Sequence, residues 1–264
     1  MNTLHLSPST VIYAVKGDVA WIRLNRPHAL NSLNPQLIAE LQGAFACAEA
    51  DDAVRSIVVI GSGDAFCAGV DLTYARSLLE RDCVAAEFLQ PFSHFISAMR
   101  ELSKPVVGAI NGTCVGGGLE ILLCCDVIIS ADGSMIGDGH VRYGLLPATG
   151  VARKLVQAMG HFRASQMLLM GQLYSANELQ DFGLIFKIVP RAELEDAAAE
   201  AAASFSGLSG KALSQLKTML RIEADMTARE ASEFELATAV DHFASGIPEI
   251  GIKSFLSKAT PIFD

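Results

Sequence analysis

Apolar and polar residues alternate along Val11–Val15 and Val19–Leu24, with Lys16-Gly17-Asp18 between the two runs. A period of two turns one face of a strand inward, and a Gly-Asp turn between β-branched runs predicts a hairpin. The period then changes. Asn34-Pro35 supplies an N-cap followed by proline at the first helical position. Leu37, Leu41, Phe45 and Ala48 recur at helical spacing and predict a helix over Pro35–Ala50. Ser56–Ile60 and Val106–Ile110 are short and continuously apolar, as strands buried on both faces are. Helical patterns cover Leu72–Leu79 and Cys83–Leu102, and Lys104-Pro105 punctuates the second. Val127–Ser130, Ser134–Gly137 and Ile185–Val189 read as further strands, and Val151–Met159 and Arg163–Met170 as helices. Ser175 and Glu178 spell a capping box. An alanine-rich helix runs from Arg191 to Phe205, and Lys211–Ala244 is amphipathic and helical up to Gly246-Ile-Pro248. A last short helix is predicted at Ile252–Leu256. Strands early and helices late predict an α/β core, residues 1–204, carrying a helical annex, residues 205–264.

Composition narrows the partners. The chain has 264 residues and is 51% hydrophobic, with mean hydropathy +0.35, above the roughly 45–50% of ordinary soluble chains. A large buried fraction follows. The formal net charge of −9 disfavours attraction to nucleic acid or to an anionic membrane, so a polyanionic ligand needs a local basic pocket. The cysteines at 47, 67, 83, 114, 124 and 125 contain no CxxC pair. They fit reduced, buried thiols, with neither a disulfide framework nor a zinc or other metal site. The first eight residues lack a basic n-region and an apolar h-region, and no apolar run reaches the ~18 residues of a membrane span. The expectation is a soluble, cytoplasmic protein.

The candidate chemistry gathers around Val106–Asp126. A buried strand leads to a turn at Asn111-Gly112, then to Gly116-Gly117-Gly118, then to a helix over 116–125 that carries Glu120 near its start. Glycines allow a backbone to approach a ligand closely. A helix N-terminus offers unpaired N–H groups and favours negative charge. Glu120 is then a base beside a charge-stabilising site, although the same residues also suit plain helix–sheet packing. Gly61–Leu72 forms a second glycine-punctuated loop, and residues 137–150 are too glycine-rich for a regular element.

Five segments in order, Leu24–Leu33, Phe66–Leu72, Lys104–Gly112, Gly116–Glu120 and Gly144–Pro147, resemble the enoyl-CoA hydratase/isomerase (crotonase) superfamily over nearly the whole chain. The resemblance implies a superhelix of ββα units, with the annex as a trimerisation region of a homotrimer or dimer of trimers. It also implies an acyl-thioester held so that charge develops on its carbonyl oxygen, facing an oxyanion hole made by the amides of Val70 and Gly117. Hydratases of the superfamily place two glutamates at the double bond. Glu120 matches the first, and the second position is His140. An imidazole titrates near pH 6.5 and can replace a carboxylate in acid–base work. Asp138 stands two residues earlier, placed to orient that imidazole or to take part directly.

Hydration of an enoyl-CoA ranks first, followed by double-bond isomerisation, then by hydrolysis, carbon–carbon cleavage or dehalogenation. A non-catalytic acyl-CoA-binding scaffold is the alternative from a different class. Coenzyme A enters as part of the substrate, with no separate cofactor, and an acyl carrier protein could present the same thioester arm. By resemblance, Arg26, His28, Ala29, Ala68 and Asp71 lie in the segments that contact coenzyme A. Lys258 stands near a C-terminal lysine that reaches a neighbouring subunit's ligand, and Arg76 is a further cation near the second loop. Phe88, Phe92, Phe95 and Met99 make a helical stripe that suits either the core or an acyl pocket.

Overall fold

The hairpin at the start of the chain pairs antiparallel, β1 (Val11–Lys16) with β2 (Val19–Leu24), in a computed structural model that describes residues 9–263. Helix α1 (Pro35–Ala50) begins where the Asn34 side chain accepts the Leu37 amide at 2.9 Å and Pro35 fills the first turn. There follow β3 (Ser56–Gly61), β4 (Ala65–Cys67), α2 (Leu72–Glu80) and α3 (Gln90–Arg100). Next come β5 (Val106–Ile110), β6 (Thr113–Val115), α4 (Gly117–Leu122), β7 (Val127–Ala131) and β8 (Met135–Gly137). The core closes with α5 (Val151–Met159), α6 (His161–Met170), β9 (Leu173–Ser175), α7 (Ala176–Asp181), β10 (Lys187–Val189) and α8 (Leu194–Ala203).

One sheet runs in the order β1-β2-β3-β5-β7-β10 and the other β4-β6-β8-β9. Each turn of chain gives a long strand to the first sheet and a short strand to the second: β3 then β4, β5 then β6, β7 then β8. Beyond β2 the long strands are parallel. This is the superhelix of ββα units that the resemblance implies.

The continuous apolar runs have a reason in this layering. Ile57, Val59, Val106 and Ile110 face α1 and α3 through Leu37, Leu41, Phe95 and Ile96. Val58, Ile60, Val107 and Ala109 face the opposite way, onto Ala197, Ala198 and Ala202 of α8. Both faces of each central strand are thus in core, and each fully buried large aliphatic contributes about 1.5–3 kcal/mol. The alanines of α8 leave little side chain between that helix and the sheet.

Several expectations need correction. The strands at 65–67, 113–115 and 173–175 were not expected, because three residues are too few to display a period. Cys83–Leu102 is not one α-helix; a π-helical turn at Ala85–Leu89 precedes α3. The helix expected over 116–125 spans only Gly117–Leu122. The glycine-rich 137–150 segment does hold a regular turn, a 3-10 helix at His140–Tyr143. The alanine-rich helix starts at Leu194 after a 3-10 turn at Arg191–Glu193, and the strand before it is confined to Lys187–Val189.

Lys211–Ala244 breaks into α9 (Gly210–Ile222), a 3-10 turn and α10 (Ala228–Ala244). The break follows from a second capping box, Thr227 with Glu230. The last helix, α11 (Ile247–Ser257), begins earlier than expected, with Pro248 in its first turn. Cys47 is exposed, not buried, while Cys67, Cys114 and Cys124 are buried, and all six thiols are free. Among the described residues no helix is long and apolar enough to cross a membrane. The reading of Met1–Pro8 lies outside the described residues.

Lys217 on α9 fastens the annex to the core, donating to the Lys104 carbonyl and to Asp126 at 2.7 Å each. No residue of α9, α10 or α11 is fully buried, and Leu220 and Phe255 are 79% and 82% exposed.

Within the triple glycine, Gly118 is sterically required. A Cβ on Gly117 would lie 2.4 Å from Leu33 Cδ1, and one on Gly118 would lie 2.4 Å from the Cys67 carbonyl oxygen. Leu33 can shift; the Cys67 backbone cannot. Gly118→Ala is therefore expected to lose about 2–3 kcal/mol of stability in urea unfolding.

Candidate active site

Three loops meet at the mouth of the core. The first is Cys67–Asp71, which leaves β4. The Leu33 amide donates to the Gly69 carbonyl at 2.7 Å and the Asp71 amide donates to the Leu33 carbonyl at 2.9 Å, so the loop is clamped on both sides of Val70. Gly69 adopts φ +90°, which favours glycine. The second loop, Val115–Gly117, leaves β6. A Cβ on Gly69 would lie 3.6 Å from the Gly117 nitrogen, so the two backbones run in contact. Among the described residues, neither the Val70 N–H nor the Gly117 N–H has an acceptor. Gly117 is the first residue of α4, where no intrahelical partner exists.

Glu120 sits within the first turn of α4 and is only 2% exposed. The Thr149 hydroxyl donates to its Oε2 at 2.8 Å. Burial pushes the carboxyl pKa above its usual value. The Thr149 hydrogen bond, the charge of His140 and the Ala148 N–H oppose this without cancelling it.

The third loop carries Asp138 and His140. Asp138 is 1% exposed, and its carboxylate meets His140 Nδ1 at 2.8 and 3.0 Å while also accepting the His140 backbone N–H at 2.9 Å. A carboxylate cannot donate, so Nδ1 carries a proton and Nε2 is the free end of the ring. That end lies along the glycine loop: a Cβ on Gly116 would stand 3.4 Å from His140 Cε1 and 3.7 Å from Nε2. Burial alone would lower the imidazole pKa. The hydrogen bond and charge of Asp138, with the charge of Glu120, outweigh it and raise the pKa above the usual histidine value.

Val70, Gly117, Glu120 and His140 all line one cavity of about 90 Å³, which Phe88 and Phe92 also line. These rings stack with centroids 5.7 Å apart. All four residues of the stripe are buried in the core, and Phe88 and Phe92 line the cavity as well. Leu145 and Leu146, in the segment after His140, form another wall.

The other candidates are distributed unevenly. Arg26, His28, Ala29, Ala68 and Asp71 gather at one edge, joined by the Ala68 N–H to Leu30 carbonyl bond at 3.0 Å and the Arg26–Asp71 ion pair at 3.0 Å. The Arg26 guanidinium is committed internally, to the Ser32 carbonyl and to Asp71. The Asp71 carboxylate also caps α2 by accepting the Thr73 and Tyr74 amides. Both side chains therefore build the loop, and their backbones are what remains for a ligand. Arg76 is exposed and pairs with Glu80 at 3.8 Å. Lys258 lies in the left-handed C-cap of α11, exposed, and does not line the cavity of its own chain.

Thr149 was not foreseen from sequence. A threonine in a glycine-rich loop carries no signal until the fold sets it against Glu120.

The sequence profile described as enoyl-CoA hydratase/isomerase matches residues 14–264. The chain belongs to the enoyl-CoA hydratase/isomerase family. It is 32% identical to a mitochondrial enoyl-CoA hydratase of Pongo abelii over 240 residues, 91% of this chain and 81% of that one. Crystal structures of enoyl-CoA hydratases from Polaromonas sp. JS666 and Bacillus anthracis align with TM-scores of 0.92 and 0.90, each at 26% identity. The alignments cover 96% of this chain in both cases, and 99% and 98% of the respective relatives. This chain is thus an enzyme of the enoyl-CoA hydratase/isomerase family with the crotonase fold.

Proposed function

We propose that this enzyme adds water syn across the double bond of a 2-enoyl-CoA thioester. The thioester oxygen sits between the Val70 and Gly117 N–H groups, which stabilise the enolate; a donor of this kind is worth about 3–4 kcal/mol in the transition state. The Glu120 carboxylate takes a proton from water as its oxygen bonds to Cβ. His140, protonated at Nε2, gives a proton to Cα as the enolate collapses. The Glu120 proton then passes to His140 Nε2, which restores both groups, and one water has been added.

The observation that carries this reading is the pair itself. A buried carboxylate and an imidazole backed by a buried aspartate share one cavity wall region with two unpaired amides. Isomerisation needs one base; the Asp138 support beneath His140 favours the two-residue reaction. Coenzyme A would lie against the backbone around Arg26, His28, Ala29, Ala68 and Asp71. The exposed apolar face of the annex, Leu220 and Phe255 included, would find cover in a homotrimer or dimer of trimers, which Lys258 of one copy requires if it is to approach another copy's ligand.

Incubation with crotonyl-CoA and, separately, with a 3-enoyl-CoA separates the readings. Hydration predicts loss of the conjugated thioester absorbance and a product heavier by one water. Turnover of the 3-enoyl-CoA alone would replace hydration by isomerisation, and no turnover of either would favour a binding protein. Free coenzyme A is expected to inhibit at millimolar concentration; its failure to do so would point to a carrier-bound substrate.

A further inference from the structure

Thr149 differs from the rest of its loop. The segment Gly144–Gly150 otherwise holds glycine, proline, alanine and leucine, whereas Thr149 is 6% exposed and brings a hydroxyl onto Glu120. The residue is held from both sides. Its hydroxyl donates to Glu120 Oε2 at 2.8 Å, and its backbone carbonyl accepts from Arg100 Nη2 at the end of α3. A Cβ on Gly150 would lie 3.6 Å from Arg100 Nη1, so the guanidinium packs against the start of α5. Arg100 fixes the loop, the loop fixes the hydroxyl, and the hydroxyl fixes one carboxylate oxygen.

We propose that Thr149 is the positioning residue for Glu120, holding Oε2 so that Oε1 is the oxygen that meets the substrate's water. This rests on the hydration reading only for what Glu120 does, not for how it is held. A hydroxyl donating to a carboxylate favours the charged form, which burial otherwise disfavours at this site. The charged and titratable groups around Glu120 are His140 and Asp138 from the third loop, and Cys124 one turn on along the chain. Arg100 acts through Thr149 and also on Cys124. The Cys124 thiol, pushed up to about 11 by burial, is neutral at working pH. Thr149 is the hydroxyl donor among these partners, and its removal leaves the others in place.

The test is a direct titration of Glu120 in the full-length protein, carried out by carbon NMR with glutamate labelled at the side-chain carboxyl. Glu120→Gln identifies the resonance. Thr149→Val removes the hydroxyl at nearly constant shape, and its midpoint is expected about one pH unit above that of the unaltered protein, the equivalent of one lost hydrogen bond. Thr149→Ser is expected to restore the midpoint to within a few tenths of a unit. If the valine variant does not fold, Thr149→Ala serves the same comparison. With crotonyl-CoA at pH 7, the valine variant should show kcat reduced about tenfold and KM within about twofold. An unshifted midpoint, or a serine variant that titrates like the valine one, overturns the proposal. Because the midpoint is read without turnover, a shifted midpoint with no hydration would instead overturn the hydration reading.

Discussion

Glu120→Gln should reduce kcat on crotonyl-CoA by about three orders of magnitude while KM changes only a few-fold, because general-base assistance is lost and the binding surface is kept. The amide is isosteric, and its oxygen can still accept the Thr149 hydroxyl, so a loss of rate reports chemistry and not collapse. Stability should move the other way. Burial raises the Glu120 pKa above its unfolded value, so the protonated form is the one the fold favours. The contribution of that group is complete below the unfolded carboxyl pKa and is lost as pH rises through the folded one. Glutamine does not titrate. The variant's stability relative to the unaltered protein, measured in urea at pH 5 and pH 8, should therefore improve with pH.

Asp138→Asn is the second large effect. Asp138 fixes the ring of His140 through Nδ1 and holds its pKa up. An amide at this position lacks the charge and allows its carbonyl or its NH2 group to face Nδ1, which permits the wrong tautomer. We expect kcat to fall about a hundredfold, within the usual span for losing one acid–base partner. The basic limb of the rate profile should move to lower pH, since an imidazole with a lowered pKa is less protonated near neutrality. The stability sign is fixed by the same shift. A raised histidine pKa contributes fully below the unfolded value near 6.5 and fades as pH rises through the folded value. Asp138→Asn should thus cost most stability near pH 6, about 2 kcal/mol, and least near pH 9. A merely structural aspartate would give a penalty independent of pH and leave the rate profile in place.

How much of this was legible before the structure follows from the range over which each signal acts. The hairpin, α1 and the central strands were readable because each holds a full period or a continuous apolar run. Of the second sheet only β8 was readable, within Ser134–Gly137; β4, β6 and β9 were not, because each is three residues long and is defined by its neighbours. The break between α9 and α10 was written in Thr227 and Glu230, but an amphipathic stripe running across it masked the capping signal. At the site, the glycine loops, Glu120 and His140 were readable as a resemblance, and Asp138 as a neighbour two residues away. Thr149 was not readable, since its partner lies 29 residues upstream and only the return of the chain from β8 toward α5 brings them together. For Arg26 the resemblance implies a place in a segment that contacts coenzyme A through its backbone; only the fold shows that its guanidinium is paired with Asp71.

The central claim is that Glu120 and His140 together place water on an enoyl thioester. It is tested most directly by incubating crotonyl-CoA in 18O-labelled water with the unaltered protein, Glu120→Gln and His140→Ala, and following the product by mass spectrometry. The account predicts 3-hydroxybutyryl-CoA carrying the label at C3, formed at least about a hundredfold more slowly by each variant. Absence of labelled product from the unaltered protein, or its formation at an undiminished rate by either variant, would contradict it.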